Sequence, residues 1–224
     1  MTKHVIFDCF GTLIDTGKGS IRAVEQILSW VGSDVDPHSF YAEWKKVKKE
    51  LEAGPIFLNE KKLFQSSLAV LFDRHGIHAD AAEAVQPMLR TLFGDRYVFP
   101  DTAAALALLD EKRIDYAIGS TTDTDSLLHF LSLNHLSFSR IYTSENMGVY
   151  KPAVRFYDTI LARTGWDAAD CLFVGDNYSD DVCGPKAAGI RAALLDRRGT
   201  FRQPPDSVHP DFVIRLLTDL REIV

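Results

Sequence analysis

The sequence predicts an α/β fold: a mainly parallel sheet with an α-helical domain inserted after its first strand. Three observations predict it. A β-rich apolar run that ends in an aspartate opens the chain at residues 3–9 (KHVIFDC). Residues 16–99 then carry apolar side chains at helical spacing. Beyond Pro100, helix-like and strand-like segments alternate, the pattern of βαβ units. A core domain is therefore expected over residues 1–15 and 100–224, and a helical cap domain over 16–99.

The elements follow in order. Gly11 and Thr12 turn the chain directly after the first strand. Helical spacing then recurs in Ile21, Val24, Leu28 and Val31, in Phe40, Trp44, Val47 and Leu51, and in Val85, Met88, Leu89, Leu92 and Phe93, with Pro87 set to shorten or kink the last helix. Trp30, Trp44, Phe57 and Phe64 are expected in the core of this cap. Ala103 to Leu109 reads as a helix and residues 114–119 (IDYAIG) as a strand, and Thr122 to Asp125 resembles a capping box for the helix carrying Leu127, Leu128 and Leu131. Residues 140–144 form a strand, Pro152 stands where a first-turn proline starts a helix, and Gly165 can end it. A strand at 171–175, a helix through Ala188 and strands at 190–195 and 211–214 complete the series.

With 46% hydrophobic and 25% charged residues over 224 positions, a disordered or collagen-like chain is excluded. Lys and Arg number 25 against 31 Asp and Glu, and the net charge of −6 argues against nucleic acid or an anionic membrane as the main partner. Cys9, Cys171 and Cys183 are odd in number and share no CxxC spacing, so no disulfide framework or cysteine-rich zinc site is expected. A reducing, cytoplasmic compartment fits. The longest apolar stretch, Ala103 to Leu109, is far short of the roughly 18 residues of a membrane span.

In open parallel sheets, ligands bind beyond the carboxyl ends of the strands, where loops and helix N-termini converge. Asp8, Ser120 and Asp176 each follow a strand, and Lys151 comes shortly after another. Each has a plainer reading alone: Asp8 as a loop residue, Thr12 as a turn cap, Asp176 as a helix N-cap, and Thr121 and Thr122 as caps of the next helix. Their joint placement favours a site. A carboxylate positioned in line can attack phosphorus while cations neutralise the phosphoryl oxygens. Asp8 suits that nucleophile, Thr12 and Ser120 offer hydroxyls, and Lys151 supplies a cation. If Asp8, Asp176 and Asp181 all ionise, Lys151 leaves an excess of two negative charges, which a divalent cation such as Mg²⁺ would balance.

Asp8 to Thr12 (DCFGT), Ser120, Lys151-Pro152 and Gly175-Asp176 through Asp181 together resemble the four motifs of the haloacid dehalogenase superfamily, in the family's order. The helical insertion is similar in position to that superfamily's cap of the first type. The resemblance implies a Rossmann-like core and an aspartate nucleophile, and for most members a magnesium-dependent phosphatase acting on small phosphorylated molecules. It implies roles for Asp8 and Lys151 in catalysis; for Thr12, Ser120, Thr121 and Lys151 on the phosphate; and for Asp8, the backbone carbonyl of Phe10 and Asp176 on the metal. Asp181 would hold the metal's waters or Lys151, and Asp180 reads as a first-turn helix charge.

Phe10 departs from the pattern. Most family phosphatases carry a second aspartate there, the general acid for the leaving group. The 2-haloacid dehalogenases carry an aromatic residue, and halide leaves without a proton, yet their metal-free sites have a small uncharged residue where this chain has Asp176. The phosphonatase branch also lacks the acid and needs a cap lysine for a Schiff base. Lys45, Lys46, Lys48 and Lys49 lie in the right region but read more simply as the solvated face of a helix. A weakly active protein that binds a phosphorylated ligand is the remaining alternative. Gly17-Lys18-Gly19-Ser20 fails as a phosphate loop and reads as a linker, and the sequon Asn177-Tyr178-Ser179 falls inside the metal motif.

Overall fold

The computed structural model describes residues 2–17, 19–94, 96–205 and 207–224; Lys18, part of the expected linker, lies outside them. The chain opens with β1 (His4–Phe7). Five helices follow: α1 (Gly19–Trp30), α2 (Pro37–Glu52), α3 (Glu60–Arg74), α4 (Ala81–Ala84) and α5 (Gln86–Thr91). Next come α6 (Thr102–Glu111), β2 (Asp115–Ser120), α7 (Thr124–Leu133), β3 (Ile141–Thr143), α8 (Ser144–Met147) and α9 (Val154–Thr164). The chain finishes with β4 (Cys171–Gly175), a π-helical turn at Tyr178–Cys183 that leads into α10 (Gly184–Ala187), β5 (Arg191–Leu195), β6 (Phe212–Ile214) and a 3₁₀ turn at Leu217–Glu222.

Two compact units result. One comprises Met1–Asp15, Tyr97–Thr121 and Leu131–Val224; the other comprises Thr16–Arg96 and Thr122–Phe130, so most of α7 is grouped with the inserted helices. In the first unit the six strands form one sheet in the order β3-β2-β1-β4-β5-β6, and every pair is parallel. This is the expected Rossmann-like α/β architecture. β1 is central, with Phe7 opposite Ile118 on one side and Val174 on the other. Strands buried on both faces need continuous apolar runs, and Val5, Ile6 and Phe7, like Cys171 to Val174, are fully buried. On one face Phe156, Tyr157 and Ile160 of α9 pack with Ile6, Ala117 and Phe173. Gly165, at φ 73°, ends α9 in the left-handed conformation that a Cβ disfavours.

In the second unit α2 starts where Asp36 accepts from the Ser39 N–H (2.8 Å) and Pro37 fixes the first turn. Asn59 caps α3 through the Lys62 N–H at 3.1 Å. Ala23, Val24, Ile27, Phe40, Trp44, Val47, Leu68 and Leu71 form its core. The Trp44 indole N–H donates to Ser67 at 2.6 Å, so its polar atom is satisfied in burial. Trp44→Ala should therefore destabilise this unit by about 3–5 kcal/mol, through lost burial and a cavity; urea denaturation measures it.

The differences from expectation have local causes. Trp30 is 57% exposed and not in the core, because it ends α1 one residue off the buried stripe of Ala23, Val24, Ile27 and Leu28. Pro87 does not kink the third helix but sits in its first turn, so that α5 runs only from Gln86 to Thr91 and is short, with α4 a separate turn before it. Gly19 and Ser20 already form the first turn of α1 and are not linker. Thr122 does not act in a capping box with Asp125; its hydroxyl bonds Glu60 at 2.7 Å and Ser126 at 3.1 Å. The Lys151-Pro152 bond is cis and α9 starts only at Val154, so Pro152 does not open the helix.

Candidate active site

The carboxyl ends of β1, β2 and β4 lie side by side, so the residues after them share one edge. Asp8 leaves β1 with its N–H on the Val174 carbonyl at 2.9 Å. Asp176 follows β4 directly, and Ser120 ends β2 opposite Thr143. Lys151 arrives differently: β3 ends at Thr143, whose side chain caps the short α8 in a reciprocal box with Asn146, and Gly148 ends that helix before the turn bearing the lysine.

Lys151 is the centre of the cluster. Its ammonium is 3% exposed as a residue and donates to Asp8 Oδ1 and Asp181 Oδ1, each at 2.7 Å. The second oxygen of Asp181 accepts the Asn177 N–H at 2.9 Å, fixing that carboxylate at both ends. Thr12, fully buried, donates from Oγ1 to Asp176 Oδ1 at 3.5 Å. Two glycines permit this crowding. Gly11, at φ 97°, would place a Cβ 2.5 Å from Asp176 Oδ2, and a Cβ on Gly175 would collide with the Asp181 carboxylate.

Asp8, Asp176 and Asp181 present oxygens that all lie within 4.8 Å of one another. Burial and the neighbouring carboxylates push Asp8 and Asp181 above the ordinary range, against the pull of Lys151. Asp176 keeps surface open to solvent, yet partial desolvation of its carboxyl and the nearby Asp181 push it up to about 6. Burial opposes the charge on Lys151, but Asp181 and Asp8 more than offset it and hold the ammonium well above its usual value. Asp8 Oδ2 is buried and has no hydrogen-bond partner. A partnerless buried oxygen, flanked by two carboxylates and balanced by one ammonium, fits a hard divalent cation.

Asp8, Thr12, Lys151, Asp176 and Asp181 are thus joined by contact. Ser120, 1% exposed, ends β2 in register with Thr143, and half-buried Thr121 follows it in the chain; among the described residues neither is bonded to the cluster. Phe10 is half-buried, and its backbone bridges Ile14. Asp180 stands in the first turn of the π-helical segment, as expected, and is buried there: its N–H is on the Asn177 side chain and its carbonyl accepts from Tyr157. Asn177, the residue that caps Asp180 and donates to Asp181, carries no spacing signal of its own. Among the cap lysines, Lys45, Lys46 and Lys49 are exposed, whereas Lys48 is half-buried against Glu52 at 3.0 Å. Burial opposes the charge on Lys48, yet Glu52 and Glu60 raise its pKa, which disfavours the neutral amine a Schiff base requires.

A family model described as haloacid dehalogenase-like hydrolase matches residues 2–189. Ribulose-1,5-bisphosphate 5-phosphatase from Halopiger xanaduensis is 26% identical over 207 residues, covering 88% of this chain and 85% of that protein. Phosphoglycolate phosphatase 1 from Pseudomonas aeruginosa is 26% identical over 226 residues, covering 98% and 79%. In fold, the chain is similar to the L-2-haloacid dehalogenase RSc1362, with a TM-score of 0.79 at 21% identity over 100% and 98% of the two chains. No helix among the described residues is long and apolar enough to cross a membrane.

Proposed function

The chain belongs to the haloacid dehalogenase-like hydrolase family, and from that premise we propose that it is a magnesium-dependent phosphohydrolase of small phosphorylated metabolites. The observation that carries this reading is the Asp176 carboxylate beside Asp8, whose own Oδ2 lacks a partner. Without a cation the like charges repel. The names of the curated relatives, both phosphatases, point the same way.

In this reading Asp8 attacks phosphorus in line, the bond to the leaving oxygen breaks, and that oxygen departs with the electron pair. Water then attacks the phosphorus of the aspartyl-phosphate, which releases phosphate and restores Asp8. Lys151 orients Asp8 and neutralises phosphoryl charge; Thr12, Ser120 and Thr121 offer hydroxyls to its oxygens. Asp181 keeps Lys151 in place through the 2.7 Å ion pair. Asp8, Asp176 and the Phe10 carbonyl are the groups that would hold the cation. When bound, it supplies Lewis-acid stabilisation of the charge developing on the transferred group.

Chelation is therefore expected to lower phosphatase turnover by about 10²-fold or more, since such a metal is worth several kcal/mol, and added Mg²⁺ should restore it. A screen of phosphorylated metabolites and 2-haloacids, with and without Mg²⁺, checks this. Halide release in the presence of chelator would overturn the phosphatase reading in favour of a 2-haloacid dehalogenase. Phe10 supports one second reading, a protein that binds a phosphorylated ligand and turns it over slowly for want of a proton donor. Turnover of activated aryl phosphates alone, with tight binding of alkyl phosphates, would favour it.

A further inference from the structure

Arg197 follows β5 and lies outside the carboxylate cluster, yet its guanidinium gathers three segments of the core unit. It forms a two-pronged pair with Asp101, Nη1 to Oδ2 at 2.9 Å and Nη2 to Oδ1 at 3.1 Å. Nη2 also donates to the Thr12 carbonyl at 2.8 Å. Its Cζ lies over the Phe99 ring, 3.9 Å from the ring centre. Asp101 stands at the N-cap position of α6 but makes no capping bond; its Oδ2 instead also accepts the Leu217 N–H at 2.7 Å. Burial opposes the Asp101 charge, but Arg197 and that N–H hold the carboxyl below its ordinary range.

The segment so gripped is the loop that carries Thr12. The Cys9 carbonyl takes the N–H groups of Leu13 and Ile14, and the Leu13 carbonyl takes the Phe99 N–H at 3.0 Å and the Thr102 hydroxyl at 2.9 Å. Backbone bonds therefore tie Leu13 and Ile14 on one side of Thr12. The Thr12 carbonyl is held by a side chain 185 positions away. Holding this peptide plane at its carbonyl, beside the backbone bonds of Leu13 and Ile14, restricts the backbone of Thr12 and so the place from which its hydroxyl reaches Asp176.

We propose that Arg197 is a positioning residue for the reaction: by holding the Thr12 carbonyl against the Phe99–Asp101 segment, it sets the aim of the Thr12 hydroxyl in the active-site loop. Planarity and the fork of donors are what the place demands, since one group must serve a carboxylate, a carbonyl and an aromatic face at once. Lysine has one point of charge and cannot meet the carboxylate in two prongs while also bonding the carbonyl. The inference rests on the phosphatase reading for its kinetic readout, though not for its structural one.

The test compares Arg197→Met, Arg197→Lys and Asp101→Asn, with 4-nitrophenyl phosphate as substrate and hydrogen exchange of the amides in residues 9–15. Asp101→Asn keeps an oxygen for the Leu217 N–H and leaves Arg197 on Thr12, so it should lower Tm while kcat stays within about threefold of wild type. Arg197→Met should lower kcat by about 10- to 100-fold with KM within about threefold, and Arg197→Lys by an intermediate amount, as expected for misplaced rather than missing groups. Both Arg197 variants should speed exchange at residues 9–15, and Asp101→Asn should not. If Arg197→Met fails to fold, Arg197→Lys carries the comparison. The proposal is overturned if the Arg197 variants keep wild-type kcat, or if Asp101→Asn loses as much kcat as they do, the mark of a mere strut. Wild-type protein inert toward the substrate would sink the phosphatase reading, and the exchange pattern alone would then decide the role of Arg197.

Discussion

Asp8→Asn is expected to lower turnover by about 10⁴-fold or more, the scale on which removal of a nucleophile acts, while leaving the fold intact. The change is nearly isosteric, so the Lys151 ammonium keeps an oxygen acceptor where it now meets Asp8 Oδ1 at 2.7 Å, and it keeps its 2.7 Å pair with Asp181. Asp8 titrates above its ordinary range in the folded chain, chiefly through burial. The native state therefore binds its proton more tightly than the unfolded chain does, and stability falls as pH rises from the ordinary carboxylate range through the raised value. A carboxamide at this position does not titrate and has no such dependence. The metal-free variant should consequently unfold at neutral pH no more readily than wild type, by thermal melts followed with circular dichroism. Substantial turnover in a variant with a wild-type spectrum would show that another group attacks.

Phe10→Asp should have the opposite effect, a rise in alkyl-phosphatase activity of up to about 10²- to 10⁴-fold with little change for activated aryl phosphates. Alkoxide is a poor leaving group unless protonated, whereas a nitrophenolate leaves unaided, so the two substrate classes separate the acid from the rest of the site. Phe10 is half-buried, which leaves the new carboxyl access to water and limits the cost of the substitution. The nearby carboxylates of Asp8 and Asp176 would raise its pKa toward the range in which it can donate a proton. Steady-state rates on folded protein, at one Mg²⁺ concentration and over a series of leaving groups, check the outcome. An unchanged alkyl rate would mean either that a proton already comes from elsewhere or that alkyl phosphates are the wrong class.

What the sequence made legible was whatever depends on short-range pattern. The runs ending at Asp8 and Asp176, and the last half of the one ending at Ser120, are apolar on both faces because the strands are buried on both faces there, so strand and polar terminus were visible together. Lys151 was legible only as a residue some way past a strand, since a four-residue helix capped by Thr143 and Asn146 intervenes and is too short to show a period. Helix α3 carries a weaker apolar period: its buried positions, Leu63, Ser67, Leu68, Leu71 and Phe72, include a serine whose hydroxyl meets the Trp44 indole. The link between Arg197 and Thr12 spans 185 positions and involves a backbone carbonyl, which no residue pattern records. Ser120 is placed by its register with Thr143, and Thr121 only by following it.

The two points at which the chain leaves and re-enters the sheet-bearing unit are hydrogen-bonded neighbours: the Asp15 N–H donates to the Tyr97 carbonyl at 2.9 Å, and Ile14 bridges Val98 in antiparallel fashion. Exit and return thus form the first rungs of a hairpin whose turn has been replaced by residues 16–96. Such a doorway asks of the chain that passes through it only two ends a few ångströms apart. Closing a hairpin costs the parent sheet little, and lengthening a closed loop adds only slowly to that cost. In evolutionary terms the sheet-bearing unit is a socket: the excursion can be lengthened, shortened or exchanged by recombination between Asp15 and Tyr97 with the strand register of β1 untouched, provided that what replaces it still packs with Thr122–Phe130.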